Sequence, residues 1–144
     1  MKKFAFAVLA LAAVAVASAE LNVTGAWKGR MIFDKRLETS AKTKEQKAAV
    51  KKVLEDGSKV TVSLTLNKNK TFTAIVNFPD KTKQVSSGTW SLKGDEVITR
   101  TTQREGKAIP TKEQKNQVMK VDKSGKQMVR FFEEQPGMGV LFLR

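Results

Sequence analysis

Two arginines are the residues of this sequence best suited to hold a ligand. Arg130 shares its strand face with Phe132, and Arg100 lies in another predicted strand. If both side chains point into a closed β-sheet, their guanidinium groups could bind a carboxylate or phosphate through bidentate hydrogen bonds. In the alternative orientation Val129 and Phe131 point inward and Arg130 is solvated. We expect the alternative, because it leaves no unpaired charge in an apolar interior.

Catalytic chemistry has little support in this sequence. The 144 residues contain no His and no Cys, which removes Ser–His and Cys–His pairs and the usual zinc ligands. The acidic doublets fall at the ends of predicted elements and form a paired-carboxylate site only as a remote alternative. These doublets are Glu55–Asp56, Asp95–Glu96 and Glu133–Glu134. We therefore expect no enzyme activity, no metal and no cofactor.

The N-terminal residues predict export. Residues 1–3 carry two lysines, residues 4–16 are uniformly apolar, and residues 17–19 form an Ala-Ser-Ala cleavage site. This pattern is typical of a secretory signal peptide and is too short for a comfortable membrane span. We therefore expect a signal peptide over 1–19, one domain over 20–144, and a periplasmic or secreted protein. With no cysteine, that domain would be held by its core alone.

The charge of the chain favours anionic partners. The sequence has a net charge of +13, and loss of the two signal-peptide lysines leaves about +11. Such a surface suits an anionic membrane or an acidic polymer, although solubility alone could explain it. The predicted compartment and the core-like alternation of the Phe residues argue against nucleic acid. We expect a monomer whose strongest basic cluster comprises Lys35, Arg36, Lys42, Lys44, Lys47, Lys51 and Lys52.

The elements that position these side chains follow from hydrophobic periodicity. Residues 59–67 and 72–78 alternate strictly, with Val62, Leu64, Phe72 and Ala74 on the inner faces. Further strands are predicted over 21–33, 84–92, 97–102, 118–122, 127–133 and 138–143. The region 103–117 is the longest predicted loop. Eight strands in hairpin order predict an all-β fold, a single antiparallel eight-stranded barrel.

One helix interrupts this β pattern. Thr43 and Gln46 fit a capping box, and Gly57 suits the C-terminal end. Between them, apolar residues recur at helical spacing while lysines cover the rest: Ala49, Val50, Val53 and Leu54 form the apolar stripe. We therefore predict an amphipathic helix over 43–56, inserted after the first strand, whose narrow stripe could lie over one end of the barrel.

Two Gly-x-Trp segments carry a family resemblance. Gly25-Ala26-Trp27 resembles the signature of the lipocalins, and Ser87-Gly88-Thr89-Trp90-Ser91-Leu92-Lys93-Gly94-Asp95 resembles a strand of bacterial secreted lipocalin-like domains. The resemblance implies a calycin-type barrel that binds small apolar molecules and performs no reaction. It also implies that the first-strand Trp closes one end of the barrel beneath an Arg from the last strand. The residues expected to close the barrel are Gly25, Trp27, Gly88, Trp90 and Arg144.

Two functional classes remain. A ligand-binding barrel needs a cavity, and we would expect Arg100, Arg130, Phe72 and Phe132 to contact a small apolar or anionic amphiphilic ligand. A filled-core interaction module, such as an inhibitor or an envelope-associated protein, would act through its basic surface and loops. Eight strands can be filled by side chains alone. We favour ligand binding on the family resemblance.

Overall fold

The computed structural model describes residues 21–144, so the predicted signal peptide over 1–19 lies outside the described residues. The strands are β1 (Gly25–Phe33), β2 (Thr61–Leu66), β3 (Thr71–Asn77), β4 (Lys83–Lys93), β5 (Glu96–Arg104), β6 (Lys107–Ala108), β7 (Asn116–Val121), β8 (Gln127–Phe131) and β9 (Met138–Leu143). The helices are α1 (Lys35–Thr39) and α2 (Lys44–Gly57), and a 3₁₀ turn spans Thr111–Glu113. No helix of this part is long and apolar enough to cross a membrane.

The strands close into one antiparallel barrel. Each pairs with its neighbour along the chain from β1 to β9, omitting the short β6, and β9 pairs back onto β1. The pairing of β4 with β5 completes the ring, while β6 is added to the outer edge of β5. The predicted all-β, eight-stranded barrel with a helix after its first strand is confirmed. Closure pairs the edges that an open sheet would leave exposed.

Side-chain alternation explains why β2 and β3 have a defined register. Along β2, Val62, Leu64 and Leu66 are buried while the intervening Thr and Ser residues are exposed. Leu64 lies opposite Ala74 of β3, so the two apolar faces coincide. A one-residue shift would move the apolar set of β2 into solvent, which is why the register is strongly specified.

The connection from β1 to β2 contains both helices. Thr43 and Gln46 form the predicted capping box at the start of α2. The short helix α1 was not predicted, because its five residues are too few to show an apolar period; Asp34 caps it by accepting a hydrogen bond from the Arg36 amide. Helix α2 has no buried residue. It lies over the end of the barrel at which β1 finishes, here called the open end.

The opposite end of the barrel, the closed end, is densely packed. Trp27, Leu66, Met128, Val23 and Val97 are all less than 2 % exposed there. Burial of large apolar side chains contributes about 1.5–3 kcal/mol each to folding, so this end supplies much of the stability. The closed end thus holds the barrel together, and the open end is left to form a site.

A β-bulge shifts the register between β4 and β5. Gly88 lies opposite Thr101, whereas the preceding Ser87 lies opposite Gln103, so Thr102 is the extra residue on β5. A Cβ atom on Gly88 would lie 1.9 Å from the carbonyl oxygen of Arg100, and only glycine fits there. Because one residue is inserted, the side chains of β5 beyond the bulge change faces.

Candidate functional site

The barrel encloses a cavity of about 810 Å³ that opens beneath α2. Its walls are mostly apolar and come from the inner faces of β1 to β5 and of β7 to β9. Phe72 is buried in this lining and Phe132 is half-buried; Phe132 faces inward with Arg130, opposite to the orientation we expected. Other apolar lining residues are Met31, Val62, Leu64, Ala74, Val76, Phe78, Met119, Met138, Val140 and Phe142. Ala74 is the small side chain in the part of this lining that β3 contributes.

Helix α2 forms part of the cavity roof. Ala49, Lys52, Val53 and Asp56 line the cavity from the helix, and Phe78 does so from the β3–β4 connection. Val53 and Phe78 are each 37 % exposed, so apolar surface reaches the cavity rim. The cavity thus reaches the surface at the end of the barrel covered by this polar helix, and the ring of paired strands stays unbroken.

Arg130 points into the cavity, which corrects the orientation we expected for β8. Met128 is completely buried and Arg130 lines the cavity, while Phe131 is 48 % exposed. The inward face therefore carries the arginine, and the Phe131 ring lies outside, 5.4 Å from the guanidinium carbon of Arg36. Position near the open end explains this choice, because the Arg130 head can reach the polar mouth while its stem covers apolar surface.

Arg100 does not join Arg130, which corrects the predicted pair. Its neighbour Thr99 is 3 % exposed and lines the cavity, so the Arg100 side chain lies on the outer face of β5. There its Nε donates to the amide oxygen of Gln114 at 2.9 Å. Arg104 takes the inner position instead, since the bulge at Thr102 reverses the faces of β5.

Arg104 is the cavity-lining residue that simple alternation along β5 fails to predict. Counting alternate residues from Thr99 places Gln103 inside and Arg104 outside. The available signal was Gly88, because a glycine within a strand suggests a bulge. With the bulge included, the two arginines at the mouth of the cavity are Arg104 and Arg130.

Burial leaves Arg130 in an unusual electrostatic position. Its guanidinium carbon lies 4.9 Å from the centre of the Phe132 ring. Removal from water lowers the pKa of Arg130, although the carboxylates of Glu134 and Glu133 act in the opposite direction. A guanidinium remains charged throughout the physiological range. The apolar cavity therefore ends at a fixed positive charge.

The residues expected to close the barrel lie at the closed end or at the bulge. The Trp27 indole donates to the Val23 carbonyl at 2.9 Å, and the guanidinium carbon of Arg144 lies 4.4 Å from the ring centre. Gly25, at φ +118°, begins β1 on this side. Trp90 is buried and donates from its indole to a backbone carbonyl, that of Asn67, while Gly88 forms the bulge described above. None of these five residues lines the cavity.

Comparison with known proteins gives one family. The NlpE N-terminal domain model matches residues 55–129, just over half of the chain. The match runs from the end of α2 through the cavity-lining strands β2 to β5 and β7 into β8. No curated protein and no solved structure matches the chain. The lipocalin resemblance has no counterpart in these comparisons.

Proposed function

Since this chain belongs to the NlpE N-terminal domain family, whose members are envelope-associated proteins, we propose that it is an exported, lipocalin-like protein that binds a small apolar or amphiphilic molecule. The ligand would occupy the barrel and enter at the open end. Its compartment would be the periplasm or the extracellular space. The observation that carries this proposal is the cavity.

The size and lining of the cavity support ligand binding over a filled core. A volume of about 810 Å³ falls within the range of about 300–1,000 Å³ typical of small-molecule sites. The buried side chains of Phe72 and Leu64 give the cavity an apolar interior. Its lining also contains polar groups, such as Gln84, Gln117 and Arg130. This polarity difference suits an amphiphile whose tail is buried and whose head lies near the mouth.

The proposal includes no reaction. Asp56 is the one carboxylate among the described residues that line the cavity, whereas glycoside hydrolysis by the usual route needs two. The sequence contains no histidine or cysteine to act as base or nucleophile. The cavity therefore offers surface and charge, which are the requirements of binding.

Two adjacent residues of β3 provide a matched test. Ala74→Phe adds a ring inside the cavity, whereas Thr73→Phe adds the same ring on the exposed outer face. Native mass spectrometry of protein purified from its host, with extraction of any lipid, reports the resident ligand. Thermal shift with added oleate measures binding directly.

We expect the wild type and Thr73→Phe to carry or bind an amphiphile. Ala74→Phe should lose this binding, while its thermal unfolding transition remains cooperative. An apo mass for the wild type, together with no thermal shift in oleate, would reject ligand binding. That result would favour the interaction module.

A second function, docking on an anionic membrane surface, is favoured by the cavity rim. The exposed apolar side chains of Val53 and Phe78 lie there beside the lysines of α2. Reversal of Lys47, Lys51 and Lys52 to Glu should abolish co-sedimentation with phosphatidylglycerol vesicles at low salt, because it replaces attraction by repulsion. Exposed charges are screened over a Debye length of about 8 Å at physiological salt, so low salt makes any attraction easiest to detect. Wild-type protein that stays in the supernatant at low salt would mean that the charge serves solubility.

A further inference from the structure

A second, polar cleft adjoins the cavity at the open end. It has a volume of about 510 Å³ and shares Thr101, Arg104, Gln117 and Arg130 with the cavity. Its outer part is formed by the segment that connects β6 with β7, including Lys112 and Lys115. The two arginines therefore stand at the boundary between an apolar chamber and a polar one.

The arginines at this boundary differ from most others in the chain. Arg36, Arg100 and Arg144 each donate hydrogen bonds to oxygen atoms of the protein. Within residues 21–144, neither the Arg104 nor the Arg130 guanidinium group has a hydrogen-bond or salt-bridge partner, although Arg130 lies over the Phe132 ring. Arg104 is exposed at the mouth, whereas Arg130 is half-buried. No buried side-chain nitrogen of the described residues lacks a partner, so water reaches the Arg130 guanidinium. A ligand oxygen would replace that water with a charge-assisted hydrogen bond.

The charge of the cleft is positive at its inner edge. Four cationic side chains line it against two carboxylates, those of Glu113 and Glu134. The Glu134 side chain is 89 % exposed and lies 4.0 Å from the Lys115 ammonium. Glu134 is thus largely exposed and close to Lys115, although its charge and that of Glu133 also act on Arg130. The two arginines line both the cleft and the apolar cavity. The net lining charge of two positive units matches a dianion.

We propose that this cleft binds the phosphate head of a single-chain amphiphile whose tail occupies the cavity. A phosphate monoester carries about −1.5 to −2 charges at pH 7 and has three acceptor oxygens. Two guanidinium forks can share those oxygens, and Lys112 and Lys115 add charge at the outer side. A carboxylate has two oxygens and one charge, and it would leave most of the cleft unused. This inference rests on the proposed binding function and adds the chemistry of the headgroup.

Three probes with the same oleoyl chain separate head from tail. These are 1-oleoyl-lysophosphatidic acid, oleate and the neutral 1-monoolein, each titrated calorimetrically into delipidated protein. We expect lysophosphatidic acid to bind about tenfold or more tightly than monoolein, since hydrogen bonds to charged groups are strong enough for a factor of that size. Oleate should fall between the two.

Substitutions assign the preference to the cleft. The double variant Arg104→Gln, Arg130→Gln should lose most of the preference for lysophosphatidic acid over monoolein. Arg30→Gln is the matched control, because Arg30 is exposed on the outer face of β1, and it should keep the full preference. The pair Lys112→Gln, Lys115→Gln should narrow the gap between lysophosphatidic acid and oleate.

The outcomes distinguish this inference from the proposed function. If monoolein binds and lysophosphatidic acid binds no better, the headgroup site is rejected and the ligand cavity stands. If oleate binds as tightly as lysophosphatidic acid, or the double arginine variant keeps the preference, the phosphate assignment to this cleft is rejected. If no probe binds the wild type, the proposed function fails and this inference fails with it.

Discussion

Removal of the Arg144 side chain should destabilise the closed end of the barrel. Its Nε donates to the Gly125 carbonyl and one terminal nitrogen donates to the Thr24 carbonyl, both at 2.9 Å. The other terminal nitrogen donates to the Asn22 carbonyl, and the guanidinium covers the Trp27 ring. One side chain thus ties the β7–β8 turn to the segment that precedes β1.

The expected cost follows from these contacts. Three hydrogen bonds at about 0.5–1 kcal/mol each and a cation–π contact of about 0.5–1 kcal/mol at an exposed site give roughly 2–4 kcal/mol for Arg144→Ala. With a urea m-value of about 2 kcal/mol/M, the middle of the usual range, the midpoint should fall by roughly 1–2 M. Arg144→Lys should lose less, since it keeps the charge but not the three-way fork.

Urea unfolding followed by tryptophan fluorescence measures this effect, because Trp27 is 1 % exposed in the folded protein. Arg30→Ala, at an exposed position on the outer face of β1, is the control and should stay within about 0.5 kcal/mol of wild type. An Arg144→Ala midpoint within that margin, or an Arg144→Lys variant as unstable as Arg144→Ala, would refute this role for the Arg144 side chain.

Two further predictions concern the bulge and pH. Gly88→Ala should lower the free energy of unfolding by about 3 kcal/mol or more, because the new methyl group would clash with the Arg100 carbonyl. Gly94→Ala is the control: its Cβ meets nothing within 4 Å, so it should cost only about 1–2 kcal/mol of left-handed backbone strain. Equal urea midpoints for the two variants would contradict this prediction. The pKa of Asp122 is lowered by the Ser124 hydroxyl and then by backbone amides. The contribution of Asp122 to the free energy of unfolding is therefore present above the unfolded-state pKa of about 3.9. It is lost as the pH falls through the lower pKa of the folded state. Because the chain has no histidine, the urea midpoint should be constant from about pH 8 to 5 and fall below about pH 4. The fall should be less steep in Asp122→Asn. A decrease in the midpoint between pH 7 and 5 would contradict this prediction.

Periodic segments explain how much of the fold could be predicted from sequence. The strict alternation of β2 and β3 allowed their inner faces to be assigned residue by residue, and the capping box placed the start of α2. Helix α1 was missed because five residues contain too little pattern. The barrel itself followed from the number and hairpin order of the strands.

The site was less predictable because it depends on exceptions to the pattern. The sequence did not show which face of β5 points inward; Thr99 does, so Arg100 lies outside. The extra residue Thr102 then reverses the faces beyond Gly88 and brings in Arg104. The orientation of β8 depended on depth: Arg130 is tolerated inward because it lies close to the mouth. Both facts require the three-dimensional register, which the order of residues on one strand does not contain.

The weak attachment of α2 has a consequence for the rate at which a ligand would exchange. The helix has no buried residue, so its displacement uncovers the cavity but removes no fully buried side chain, and it should cost far less than global unfolding. Amide hydrogen exchange would reveal this as fast exchange in α2 beside slow exchange in β1 and β9. A ligand could then enter and leave by movement of one helix, on a timescale independent of the lifetime of the folded barrel.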